Sequence, residues 1–299
     1  MSVLPAARRA WGPPVGAGSP GTGLAALLLI LAGAAGVMLL PRFFGDPQSV
    51  DPDVWRLTAY FATVTAWTLC LGRLRRLAPT ALALLTLTFP YSVWMWLLGY
   101  GGPGARLLGA PYGLLRNALA AVAWLILALL MAAAFRYLSP APRPRVRIWT
   151  RPSSGALLLA AAVSLAFLAV GFLLPGTLIG REGVPLLSLS GSAGVALGVA
   201  NAAQAVAQEV QFRGVLLGAL ERDLPPGAAL LGQALIFGVA HIAIQYQGPA
   251  ASFLPIVILL GLIWGWMTQR TQTILPAAIV HVVAELFLVA TIVSGLYGS

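Results

Sequence analysis

Five ionisable residues lie inside long apolar stretches of the C-terminal half of this 299-residue sequence. They are Glu209, Arg213, His241, His281 and Glu285, and the two histidines are the only ones in the chain. An ionisable side chain in lipid costs roughly 2.5–3.5 kcal/mol on insertion scales, so by default it marks a functional site or a buried pair. Two carboxylates and two imidazoles are the groups that general acid–base chemistry uses. The five residues are therefore a candidate catalytic cluster.

Spacing pairs the members of this cluster. Glu209 and Arg213 are four residues apart, and so are His281 and Glu285. Side chains at positions i and i+4 of an α-helix lie on the same face. The sequence therefore predicts an ion pair on one helix and a shared volume for His281 and Glu285 on another. Further amides extend the polar positions of the cluster, namely Asn201, Gln204, Gln208 and Gln233.

Apolar runs of about 20 residues, each long enough to cross a bilayer, predict the helices that position these groups. We expect the first run to remain as an uncleaved span rather than a signal peptide. More than 20 residues precede it, and its apolar character continues to Leu40. The count is eight without it. The nine candidate spans are roughly 23–40, 54–72, 78–100, 113–137, 155–175, 190–218, 228–245, 252–269 and 273–296.

The amino-acid composition of the chain also predicts a membrane protein. Hydrophobic residues make up 59% of the chain and charged residues 9%, against about 25% charged in soluble domains. The sequence therefore predicts an all-α polytopic membrane protein. Its single cysteine, Cys70, excludes an intramolecular disulfide. Most tryptophans are expected at the membrane interface. Trp264 and Trp266, near the inner end of the eighth helix, could equally line the cavity, and we do not count them among the site residues.

The basic residues predict orientation and exclude a nucleic-acid partner. All 18 are arginines, which we interpret as the signature of a GC-rich bacterium. With the N-terminus in the cytoplasm, twelve arginines fall in inner segments and five in outer ones, as the positive-inside rule requires. The net charge of +10 is explained by these membrane-flanking arginines, because no basic run is interleaved with stacking aromatics. We expect a multi-pass protein of the cytoplasmic membrane, in contact with lipid.

The predicted helices bring the cluster to one depth. Counting about 1.5 Å per residue from the cytoplasmic ends places Glu209, His241, His281 and Glu285 roughly 15–21 Å into the membrane. Polar side chains at that depth must face protein or water. The sequence therefore predicts a hydrated cavity between the sixth, seventh and ninth helices.

A basic, proline-rich segment divides the chain into two membrane regions. We predict an N-terminal four-helix region over residues 1–138, a cytoplasmic linker over 139–153 and a helical core over 154–299. Every buried charge of the cluster lies in that core. The role of the N-terminal region cannot be inferred from its sequence.

Three segments of the core resemble motifs of the CAAX-protease and bacteriocin-processing (Abi) family of glutamic-type intramembrane proteases. Residues 208–214, Gln-Glu-Val-Gln-Phe-Arg-Gly, resemble its Glu-Glu-x-x-Phe-Arg-Gly motif. Phe237 and His241 match its Phe-xxx-His motif, and His281 with Glu285 resembles its His-xxx-Asn motif. The motif order and internal spacings agree with the family over roughly residues 154–297.

Two positions depart from the family pattern. Gln208 stands where the family has a glutamate, and Glu285 stands where it has an asparagine. The resemblance implies that the family's glutamate activates a water together with the second-motif histidine, while the third-motif residues stabilise the oxyanion. An amide has no basic group for that task, so Gln208 cannot act as the base. Glu285 restores a second carboxylate to the same cavity.

The first functional hypothesis is an intramembrane endopeptidase that acts on a peptide or protein. Either Glu285 or Glu209 would deprotonate a water that His241 orients, and His281 would stabilise the tetrahedral oxyanion. Arg213 would hold Glu209 ionised, with Gln208 and Phe237 as supporting residues. This mechanism needs no cofactor.

Three other hypotheses remain open. The change at Gln208 fits a membrane scaffold or partner protein that kept the fold without the activity. His241, His281 and Glu285 match a His2Glu zinc set in ligand type, although no His-Glu-x-x-His run is present. Buried carboxylates also serve proton or ion transport. The sequence indicates neither the substrate nor the oligomeric state.

Overall fold

The computed structural model describes residues 20–44, 51–71, 74, 77–98, 114–138, 148, 150–173, 192–241 and 250–297. Within these ranges every long element is a helix and none is a β-strand, so the all-helical prediction is confirmed. The elements are α1 Pro20–Phe44, α2 Asp51–Cys70, α3 Ala78–Leu98, α4 Leu114–Leu138, α5 Ser154–Leu173, α6 Ser192–Glu209, a π-helical segment Val210–Leu216 (the π segment), α7 Leu217–Asp223, α8 Pro226–Ala240, α9 Ala250–Thr271 and α10 Leu275–Tyr297.

Each of the nine predicted apolar runs corresponds to a helical stretch of these elements. The sixth extends further than predicted, because α6 continues through the π segment and α7 to Asp223 instead of ending near residue 218. The seventh is shorter than predicted: α8 ends at Ala240, and residues 242–249 lie outside the described residues. The linker predicted over 139–153 also falls largely outside them, and the division into regions stays a prediction.

Outward-facing apolar side chains fit a helical membrane protein. On α5, Leu158, Leu165 and Leu173 are between 67% and 77% exposed. Among the described residues, two stretches, Ala118–Tyr137 and Ser154–Gly171, are long and apolar enough to cross a bilayer by length and composition. Three shorter helical stretches are also apolar: Leu24–Val37, Pro226–Ala240 and Leu275–Phe287. The full number of membrane spans stays a prediction.

The π segment lies at the centre of the helix packing. It contacts α3 and α4 on one side and α8 and α9 on the other, and all seven of its residues are buried. Around it, α4 packs on α6, α8 packs on α9, and α10 packs on α5, α6 and α9. The two predicted regions therefore meet at the segment that follows Glu209.

Candidate active site

Glu209 is the residue around which the cluster is built. It ends α6 immediately before the π segment, and it is fully buried. One carboxylate oxygen, Oε1, accepts hydrogen bonds from Arg213 Nη1 at 2.9 Å and from His281 Nδ1 at 2.8 Å. The predicted Glu209–Arg213 ion pair is confirmed, and the bond to His281 joins α6 to α10.

The Arg213 guanidinium contacts aromatic rings as well as the carboxylate of Glu209. Its guanidinium carbon lies 4.3 Å from the centre of the Phe237 ring and 5.3 Å from that of Trp264. Nη2 also donates to the Gly261 carbonyl at 3.4 Å. Cation–π contacts of this kind stabilise a desolvated guanidinium by about 2 kcal/mol. Arg213 therefore links the π segment to both α8 and α9.

His281 stands between the two carboxylates. Nδ1 faces Glu209, while Nε2 lies 3.5 Å from Glu285 Oε1. Ordinary N–H···O hydrogen bonds measure about 2.7–3.2 Å, so the contact to Glu285 is the looser of the two. The imidazole also stacks on Trp264, with ring centres 4.0 Å apart and planes 22° from parallel. The shared volume predicted for His281 and Glu285 is confirmed.

His241 sits at the C-terminal end of α8 rather than inside a longer helix. Its backbone N–H bonds the Gly238 carbonyl, and its Nδ1 lies 2.7 Å from the Phe237 carbonyl. The last carbonyls of a helix lack helical amide partners, and the imidazole supplies one here. Because a carbonyl only accepts, Nδ1 carries the proton, and the neutral ring presents Nε2 as an acceptor.

Phe237 separates the two histidines and contacts both. Its ring centre lies 4.4 Å from that of His241 and 6.1 Å from that of His281. The described hydrogen bonds of His241 stay within its own helix, and none of them reaches another cluster member. The structure thus places Arg213 and both histidines around one phenylalanine. Gln208 lies nearby in the chain, nine-tenths buried, and its Oε1 has no partner among the described residues.

Trp264 belongs to the site, although its position in the sequence did not distinguish it from a lipid-facing tryptophan. It is buried, stacks on His281 and lies beside Arg213, whereas Trp266 is 47% exposed. A tryptophan near the end of an apolar helix has the same sequence signature whether it faces lipid or protein. The glycines at 261 and 265 of α9, whose four-residue spacing is typical of close helix packing, were the available signal, because a Cβ at Gly261 would lie 3.2 Å from the Ala234 Cα of α8.

The zinc set considered above does not form a compact ligand group. Among the described residues, no three histidine, cysteine, aspartate or glutamate side chains are grouped so that they could hold a metal ion. His241 is directed at the Phe237 carbonyl through Nδ1, while Glu285 approaches His281.

Comparison with known families gives one match. Residues 190–287 match the family model described as type II CAAX prenyl endopeptidase Rce1-like. No curated protein and no solved structure matches the chain. The matched range contains the π segment and every ionisable residue of the cluster. The family resemblance inferred from the three motifs is therefore confirmed over this C-terminal region, which is similar to a family of membrane proteases.

Proposed function

We propose that this protein is an intramembrane endopeptidase of the bacterial cytoplasmic membrane, in which Glu285 and His241 activate the hydrolytic water. The observation that carries the proposal is Glu285, a carboxylate that is 16% exposed and loosely placed beside His281 within the region that matches a protease family. Glu209, the other carboxylate, is fully buried and its Oε1 accepts two hydrogen bonds. A base must be accessible to water and free to take up a proton, and Glu285 meets both conditions better.

The chemistry follows from the hydrogen bonds of the two histidines. His241 presents Nε2 as an acceptor that orients the water, and Glu285 takes its proton as the oxygen attacks the scissile carbonyl. His281 faces a carboxylate through each nitrogen, so its doubly protonated ring can donate Nε2–H to the oxyanion while Nδ1–H stays on Glu209. Glu285 then passes its proton to the leaving amine nitrogen. Glu209 and Arg213 keep His281 in place throughout.

The substrate is a peptide or protein, and the family description suggests a prenylated C-terminus. Leader peptides and sorting signals are the other substrate classes that the family resemblance allows. Prenylated and unprenylated versions of the same peptide distinguish these classes in an assay.

A cleavage assay on the purified, detergent-solubilised protein tests the proposal. Quenched-fluorescence peptides are incubated with the native protein, Glu285→Gln and Gln208→Glu. We expect the native protein to cleave and Glu285→Gln to lower kcat/KM by about 10²–10⁴-fold, the usual contribution of a general base. A chelator arm with 1,10-phenanthroline tests the zinc alternative, which requires loss of activity and bound zinc after purification.

A catalytically inactive scaffold is the second candidate, and Gln208 is the observation that favours it. In that case the native protein does not cleave, and Gln208→Glu gains activity because it restores the family's glutamate. That result would overturn the proposed role of Glu285. Matched unfolding curves for the three proteins ensure that a silent variant is folded.

A further inference from the structure

Gln211 lies in the middle of the π segment and joins it to both neighbouring N-terminal helices. Its Oε1 accepts a hydrogen bond from Trp124 Nε1 of α4 at 3.0 Å. Its Nε2 donates to the Thr86 carbonyl of α3 at 2.5 Å, with the Leu87 carbonyl 3.4 Å away. Gln211, Thr86 and Trp124 are all at least 95% buried. One amide thus bonds three helical elements in the protein interior.

The Thr86 carbonyl is available because of Pro90. In an α-helix this carbonyl would accept from the backbone N–H four residues later, and proline has none. Helix α3 nevertheless continues through Pro90 to Leu98. Gln211 supplies the donor that Pro90 lacks. A buried carbonyl without a donor is costly, so the bond from Gln211 is strongly favoured over a Thr86 carbonyl that has no donor.

Gln211 points away from the catalytic cluster. It lies two positions after Glu209 and two before Arg213, which both face α8, α9 and α10. Side chains two positions apart on a helix project to nearly opposite sides. Because Gln211 is fixed against α3 and α4, the rotation of the π segment about its axis is fixed, and with it the direction of Glu209 and Arg213.

We propose that Gln211 is a positioning residue, and that α3 and α4 serve as a clamp that sets the rotation of the π segment. Thr86, Pro90 and Trp124 lie outside residues 190–287, so this role belongs to the N-terminal region. The part of the inference that concerns catalysis rests on the proposed function. The geometric part does not, because the NMR resonance of Trp264 reports on the geometry of the cluster even when no substrate is cleaved.

The test combines kinetics with ¹⁹F NMR of the full-length protein labelled with 5-fluorotryptophan. The Trp264 resonance, assigned with Trp264→Phe, reports on the ring that stacks on His281. In Gln211→Leu we expect the Trp264 resonance to shift, kcat to fall by about 10–100-fold and KM to change little, as misplacement of catalytic groups predicts. Gln269→Leu is the matched control, because Gln269 also joins two elements through Glu221 and the Pro226 carbonyl.

A double variant separates positioning from a merely structural role. Pro90→Ala in the Gln211→Leu background gives the Thr86 carbonyl a helical N–H, while Trp124 Nε1 still lacks its acceptor. Thermal stability should therefore recover in part, while kcat and the Trp264 resonance stay altered. Full recovery of kcat and of the resonance would overturn the proposal, because Gln211 would then only satisfy a carbonyl. An unmoved Trp264 resonance in Gln211→Leu would also overturn it, whether or not the native protein cleaves peptides. If native cleavage is absent and the resonance shifts, the proposed function fails and the clamp stands.

Discussion

The two carboxylates of the cluster mark two sides that are held very differently. On the buried side, Glu209 and Arg213 are fully buried, form a 2.9 Å ion pair and are enclosed by aromatic rings. On the open side, Glu285 is 16% exposed and lies 3.5 Å from His281 Nε2, and the imidazole of His241 bonds a carbonyl of its own helix. His281 connects the two sides, with one nitrogen facing each.

This difference shows how one cluster can combine a stable ion pair with a carboxylate that is free to react. Protonating a carboxylate weakens the hydrogen bonds that it accepts from cationic donors, which opposes its use as a base. A carboxylate with few close hydrogen bonds loses little stabilisation when it takes up a proton. In the proposed mechanism the buried side fixes geometry and the open side transfers protons, so substitutions on the two sides should affect different measurements.

The largest expected effect lies on the open side, in activity alone. His241→Ala removes the imidazole that orients the water, and we expect kcat/KM to fall by about 10²–10⁴-fold. The free energy of unfolding should fall by about 1–3 kcal/mol, because a hydrogen bond to a helix carbonyl and the ring contact with Phe237 are lost. Cleavage kinetics and SDS-induced unfolding measure the two quantities. Thr63→Ala, which removes a similar side-chain bond to the Ala59 carbonyl, is the matched control and should keep full activity.

The buried side should show its effect in stability. Arg213→Gln removes the cation paired with the buried Glu209 and leaves His281 as its remaining partner, so we expect the free energy of unfolding to fall by about 3–5 kcal/mol. Activity should disappear together with folded protein. Arg222→Gln is the control, since Arg222 is partly exposed and lies 4.0 Å from Asp223. Native-like stability of Arg213→Gln would show that the two sides do not differ as described.

The sequence was sufficient to predict what a single helix determines. Runs of about 20 apolar residues must form helices in lipid, and α3 was placed to within two residues of its observed end at Leu98. Both pairs at i and i+4 lie in contact, because that spacing fixes their common face. The family motifs added the order in which three helices contribute to one site.

The rest depends on how helices rotate against one another, which spacing does not encode. The bond from His281 to Glu209 and the stacking of Trp264 on His281 join different helices. The π segment also lacks a sequence signal, since its apolar residues suit an α-helix equally well. It turns Gln211 toward α3 and α4 while Arg213 faces α8 and α9. The early end of α8 at Ala240 was missed because apolar residues continue past it to Ile244.

A smaller effect tests whether the buried side depends on close helix packing. A Cβ at Gly261 would lie 3.2 Å from the Ala234 Cα and 3.2 Å from a Phe237 ring carbon. Because backbone cannot move aside easily, Gly261→Ala should lower the free energy of unfolding by about 1–3 kcal/mol, the usual cost of overpacking. Gly227→Ala is the control, because a Cβ there meets nothing within 4 Å. Equal unfolding midpoints for the two variants would contradict the close packing.

The smallest effect should come from Trp264, which touches both sides through His281 and Arg213. Trp264→Phe keeps an aromatic ring against the imidazole and the guanidinium. It removes an indole N–H that has no hydrogen-bond partner among the described residues. We expect kcat to fall by no more than about fivefold, equivalent to roughly 1 kcal/mol. Trp264→Leu removes the ring and should cost several times more in both kcat and stability. If Phe and Leu behave alike, the ring supports the cluster by volume alone, and the connection between the two sides then depends on the His281 hydrogen bonds and not on stacking.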